Sequence, residues 1–159
     1  MCADMYLLIS DTLRHAGYIH YEISNFAISG CHSKHNMTYW KGEEYYGFGI
    51  AAHGYLNSTR YKNTDNLNEY INNPLKKQVL SINTPKDFLE EKIFLGLRTC
   101  DGILLSEIKD IFGVDLLSQK RNFINQIIEN KHAILDNERL YLTEKGFLIS
   151  DYIISELIS

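Results

Sequence analysis

The chain has 159 residues, a formal net charge of -4, 45% hydrophobic residues and 23% charged ones, the balance of one globular domain or two small ones. No apolar run approaches the roughly 18–20 residues a membrane-spanning helix needs, and the first residues lack the basic and apolar regions of a signal peptide. Cys2, Cys31 and Cys100 are odd in number and far apart, which fits a reducing cytoplasm better than a disulfide framework; a soluble cytoplasmic protein is expected.

Apolar residues at Met5, Leu8, Ile9, Leu13 and Ala16 recur at helical spacing, and Gly17 closes the pattern. The aromatic and β-branched run over 18–27 reads as a strand. Helix, glycine and strand make the closing half of a β/α repeat. Residues 1–27 are therefore expected to be the last element of a partial TIM-like barrel belonging to a longer parent, with an exposed strand edge.

Residues 28–83 are aromatic and glycine-rich. Ser33 is placed to cap a short helix running through Trp40. The stretch 45–55, containing Gly47-Phe48-Gly49-Ile50-Ala51-Ala52-His53-Gly54, reads as a glycine-loosened strand. Asn57-Ser58 predicts a turn into a strand over 59–63, and 67–71 predicts a short helix broken by Asn72-Asn73-Pro74.

The texture changes at Thr84. Thr84-Pro85-Lys86-Asp87 is a helix start, with a capping residue ahead of proline, and the helix should run to about Arg98. A second helix is expected over 104–112, stopped by Gly113, and a third over 116–129. The apolar runs 133–135 and 140–142 flank a polar tip and predict a hairpin. Thr143 should cap a last helix through Leu157. Residues 84–159 thus read as a winged-helix-like C-terminal domain, and the whole chain as α/β plus α+β.

A winged helix raises the question of DNA. Residues 84–159 carry nine Lys/Arg against thirteen Asp/Glu, whereas residues 1–83 carry seven of each. The acidity sits in the module that would have to face phosphates, and duplex binding needs a basic footprint. No nucleic-acid partner is expected, and a winged-helix interaction module is the least favoured of three functional readings.

Single residues support several chemistries. Cys31 and His35 have a spacing that suits a shared metal, but two ligands do not make a zinc site. Glu22 and Asn25, near a strand end, suit either a substrate opening or a buried structural role. His53 reads as a ligand neighbour or a hydrogen-bonded core histidine. Gly47-x-Gly49 is no nucleotide loop, because no helix start with a Lys-Ser/Thr pair follows it.

Tyr21-Glu22-Ile23-Ser24-Asn25-Phe26-Ala27, followed by His35-Asn36-Met37-Thr38-Tyr39-Trp40, resembles the pattern of oxygen-independent coproporphyrinogen III oxidase-like radical-SAM proteins. The H-N-x-x-Y-W element resembles the HemW type within that group, regarded as haem chaperones. Gly47 to His53, Gly96-Leu97-Arg98-Thr99 with Asp101-Gly102-Ile103, and Leu142-Thr143-Glu144-Lys145-Gly146 are similar to later blocks of the same family. The matches are co-linear and span nearly the whole chain, as a C-terminal part of the family.

The resemblance implies a [4Fe-4S] cluster and S-adenosylmethionine in the full-length parent. Three thiolates in one loop hold such a cluster, and the three cysteines here form no such motif, so this piece is expected to be inactive alone. The resemblance further implies haem or another porphyrin as ligand and a haem-acceptor protein as partner. His35 would ligate the iron, Tyr39 lies one helical turn further on, Trp40 would pack on the macrocycle, and Asn36 would orient a ring or cap the turn. The residues alone, without the resemblance, favour a capped helix start whose Tyr and Trp fill a core. The alternative function is a true oxygen-independent coproporphyrinogen III oxidase.

Overall fold

The computed structural model describes residues 2–159; the side chain of Cys2 lies outside the described set. Helix α1 (Cys2–His15) leads through Gly17, at φ 85°, into strand β1 (Ile19–Glu22). The strand expected over 18–27 folds back on itself: β1 pairs antiparallel with β2 (Asn25–Ala27), with Ile19 opposite Ala27. The cause is Glu22. Its carboxylate is fully buried and accepts hydrogen bonds from the Ser24 N–H at 3.2 Å and from the Asn25 amide, which closes the turn.

The far edge of β1 is not free either. The Cys100 N–H donates to the Tyr21 carbonyl at 3.0 Å, and the Ile23 N–H to the Arg98 carbonyl at 2.9 Å, so the hairpin is stitched to the loop after helix α4 (Pro85–Gly96). Helix α1 also sits the other way round from its apolar spacing. Met5, Leu8 and Ile9 point outward at 56%, 66% and 50% exposure, while Ser10 is fully buried and Tyr6 packs on the main core. The Tyr6 hydroxyl donates to the Ile23 carbonyl at 3.1 Å.

Helix α2 (Lys34–Trp40) is followed by a loop in place of the expected strand over 45–55. Only a Tyr45–Tyr55 bridge and strand β3 (His53–Leu56) are extended there. Buried Asn63 explains the loop: its amide donates to the carbonyls of Gly47 (3.0 Å) and Gly49 (2.8 Å), using groups a ladder would have taken. The hydroxyls of Tyr61 and Tyr70 accept from the Gly47 and Gly49 N–H groups. Gly47 is obligatory, since a Cβ there would lie 2.4 Å from the His53 carbonyl oxygen.

Strand β4 (Thr59–Asn63) follows the Asn57-Ser58 turn, whose residues both have positive φ, the geometry that matches hairpin twist. Helix α3 (Leu67–Asn72) is capped by Asn66. Strand β5 (Lys77–Ile82) then completes the sheet order β3-β4-β5; this strand is exposed along its length and has no counterpart in the sequence reading.

From Thr84 onward most expected boundaries are observed. Thr84 and Asp87 form a reciprocal capping box at the start of α4. Strand β6 (Ile103–Leu104), unanticipated, precedes α5 (Leu105–Phe112), which Gly113 ends in the left-handed region. The third helix is broken at Lys120 into α6 (Leu116–Gln119) and α7 (Arg121–Glu129). Strands β7 (Ala133–Asp136) and β8 (Arg139–Leu142) join across Asn137-Glu138, a two-residue turn, and give the sheet order β6-β8-β7. The last helix is also two, α8 (Glu144–Phe147) and α9 (Ser150–Ile158).

Ile93, Leu97, Ile103, Ile108, Ile124, Leu140 and Ile153 are buried to 1% exposure or less and form the centre of one core. Each such side chain contributes about 1.5–3 kcal/mol on burial. No helix among the described residues is long and apolar enough to cross a membrane.

Candidate functional site

Helix α2 is the element that positions the H-N-x-x-Y-W residues. Ser33 caps it, accepting from the Asn36 N–H at 3.3 Å, and Gly42 in the left-handed region follows its C-terminal end. His35 and Tyr39, four residues apart, share one face. Their rings meet edge to face at 4.9 Å, and both are exposed. Tyr39 meets Tyr45 at 4.6 Å, and Tyr45 lies 6.5 Å from Tyr55. A row of aromatic rings therefore leads from exposed His35 to Tyr55, which is 6% exposed.

Trp40 lies on another side of the helix. Together with Met37 it lines a cleft of about 590 Å³ between α2 and the C-terminal elements. Phe88, Lys92 and Leu95 of α4 and Ile111 and Phe112 of α5 also line it. Asn36 is half-buried and contributes its N–H to the Ser33 cap. The four residues singled out in sequence are thus not gathered at one point. His35 and Tyr39 face outward, and Trp40 faces the cleft.

Two of the charged groups lining the cleft are paired, and two, Lys41 and Asp101, make no ion pair among the described residues. Glu91 accepts from Arg60 at 2.6 Å and from the Asn83 amide at 2.9 Å, and Lys92 pairs with Glu107 at 2.8 Å. Among the described residues Lys41, exposed at the cleft rim, has no carboxylate partner. Burial, reinforced by the Glu91 carboxylate, raises the Tyr55 phenol above its usual pKa and keeps it protonated.

His35 has both ring nitrogens free of hydrogen bonds among the described residues. Among the described residues, no group of three or more His, Cys, Asp or Glu side chains is arranged to hold a metal ion. Cys31 and Cys100 are free thiols. Glu22 is used up in its turn, and His53 is exposed on β3. Met37, Lys41, Tyr55, Phe88 and Phe112 belong to the cleft without having been singled out. The only local signal was the spacing of Met37 and Trp40, one helical turn apart.

Residues 83–149 match the HemN C-terminal domain family. The haem chaperone HemW of Lactococcus lactis is 38% identical over 158 residues, covering 98% of this chain and 42% of that protein. This chain belongs to the HemW/HemN family. It corresponds to the family's C-terminal part. HemW of Bacillus subtilis is 33% identical over 153 residues, 94% of this chain and 40% of its own length. The chain thus spans about two fifths of the length of these curated relatives. The solved structure of coproporphyrinogen III oxidase (HemN) from Escherichia coli, described as a radical SAM enzyme, superimposes with a TM-score of 0.71 at 14% identity, over 98% of this chain and 40% of that one. That likeness establishes a shared mixed helix-and-sheet fold.

Proposed function

We propose that this chain is the C-terminal part of a HemW-like radical-SAM protein and that it handles haem in the cytoplasm. The observation carrying this reading is the exposed His35 imidazole, held edge-on by Tyr39 and free at both nitrogens. Haem is the cargo in this reading and not a resident cofactor. His35 binds its iron, Tyr39 restricts the imidazole's rotation, Asn36 keeps the helix start capped, and a haem-acceptor protein receives the cargo. The full-length protein would supply the [4Fe-4S] cluster and S-adenosylmethionine.

In this reading residues 1–27 close a TIM-like barrel, residues 28–83 carry the haem motif, and residues 84–159 form a winged-helix-like module. Supporting the last assignment, α4, β6, α5 and α6–α7 precede the β7–β8 hairpin, and β6 pairs with β8. The relatives' naming as haem chaperones favours cargo handling over oxidative decarboxylation.

The test is a haem titration of the chain followed in the Soret region. A histidine-ligated band is expected, and His35→Ala should abolish it, while substitutions of His15 and His132 leave it in place. An unchanged spectrum in His35→Ala removes the ligand assignment.

A further inference from the structure

Helix α1, the β1–β2 hairpin and helix α8 meet around one side chain, His20. Its ring stacks at 4.0 Å on Phe26, its register partner across the hairpin. It also meets buried Phe147 of α8 edge to face at 5.2 Å and Tyr6 of α1 at 5.8 Å. The same two helices are tied by the Arg14–Glu144 ion pair at 2.9 Å. Beyond His20 the hairpin reaches the loop after α4 through two backbone bonds, Ile23 N–H to the Arg98 carbonyl and Cys100 N–H to the Tyr21 carbonyl.

The two ring nitrogens of His20 have different surroundings. Nε2 lies 3.4 Å from the Tyr6 hydroxyl and 3.4 Å from the Ile23 carbonyl, so a proton there has an acceptor. Nδ1 is buried and has no partner among the described residues. A neutral ring with its proton on Nε2 fits this cage. An imidazolium adds a charged N–H at Nδ1, and a buried charged donor without an acceptor costs more than an unpaired lone pair.

The titratable and charged groups facing the ring are Tyr6 and Arg14 of α1, Glu22 of the hairpin and Glu144 of α8. Burial, helped by Glu144 and Glu22, raises the Tyr6 phenol to about 12, so it stays protonated. Burial lowers the His20 pKa below its ordinary value; the Ile23 carbonyl, Glu144 and Glu22 pull the other way, and Arg14 adds to burial.

We propose that His20 is an acid-sensitive latch: neutral, it holds α1 and the β1–β2 hairpin against the C-terminal elements, and protonated, it lets them undock. A histidine released into water titrates at about 6.5, above its value in the docked cage. Docking is therefore at full strength above that pH and weakens as pH falls through it. The centre of the core contains no histidine, so the change is confined to the junction.

The amides of Ile23 and Cys100 report on docking directly, and that of Ile124 reports on the core. Hydrogen exchange on the 159-residue chain, corrected for intrinsic rates, should show Ile23 and Cys100 losing protection several-fold, at most about tenfold, between about pH 7.5 and about pH 5.5. Ile124 should hold its protection. His20→Phe keeps a flat ring on Phe26 and should abolish the pH dependence, with circular dichroism confirming the fold; His32→Phe, on the other side of Tyr21, should retain it. An NMR titration of the His20 ring in the unaltered chain should give a pKa below the ordinary histidine value. A His20 pKa at or above that value overturns the latch without any variant. So does a protection loss that is absent, that persists in His20→Phe, that vanishes in His32→Phe, or that Ile124 shares.

Discussion

Arg60 Nη2 lies 2.6 Å from Glu91 Oε1 and ties β4 to α4. The same carboxylate accepts from Asn83 through its other oxygen, so one side chain on α4 holds both the central strand and the end of the aromatic middle region. Glu91 also lines the Trp40 cleft.

Glu91→Ala should therefore lower stability by about 1 kcal/mol, the upper range for a partly exposed pair, because the two side chains are 37% and 29% exposed and solvent screens them. Urea denaturation measures it. A double-mutant cycle with Arg60→Ala should return a coupling of similar size, and a coupling near zero would show that the ion pair is incidental.

Gly47→Ala should cost more. The added methyl meets the His53 carbonyl oxygen at 2.4 Å, which backbone movement alone can relieve, and such overpacking costs about 1–3 kcal/mol. The hydrogen bond from Gly47 N–H to the Tyr61 hydroxyl should loosen with it. A thermal melt unchanged from the parent chain would contradict this account of the loop.

Much of this was legible in sequence wherever the cause is local. Thr84 and Asp87 satisfy each other's neighbouring backbone whatever the rest of the chain does, so the start of α4 was plain. Gly113 and the Asn57-Ser58 turn were readable for the same reason. Helix α1 was found, but its inward face was not, because Met5, Leu8 and Ile9 have the spacing of a buried stripe and yet face outward. The β1–β2 hairpin depends on a buried carboxylate taking up Ser24 and Asn25, a choice invisible in a run that also suits a single strand. The H-N-x-x-Y-W residues were recognisable as a motif. Their division between an exposed face and a cleft was not, since the cleft exists only where α2 meets α4 and α5, distant in sequence.

Acid stability should depend on Asp115. A side-chain hydrogen bond from Lys109 at 2.8 Å, followed by the Ser118 N–H, pulls its pKa down to about 2. A carboxylate whose folded pKa is depressed stabilises fully above its unfolded value and loses that contribution as pH falls through the folded one. Asp115→Asn should thus melt below the parent chain at pH 6, with the gap narrowing below about pH 4 and closing near pH 2. A gap that stays constant from pH 6 to 2 would show that capping, and not charge, is the source.

Helix α1 has two sides with opposite demands. Tyr6 and Ser10 fix it to the core, while Met5, Leu8 and Ile9 leave an apolar stripe in water. Covering three half-exposed side chains of this kind is worth on the order of 2–5 kcal/mol, a large share of the roughly 5–15 kcal/mol that holds a domain together. The unfolding equilibrium is therefore linked by mass action to any surface that occupies that stripe. A melting temperature measured on these residues alone describes the chain with that stripe in water, and it should rise when the stripe is covered.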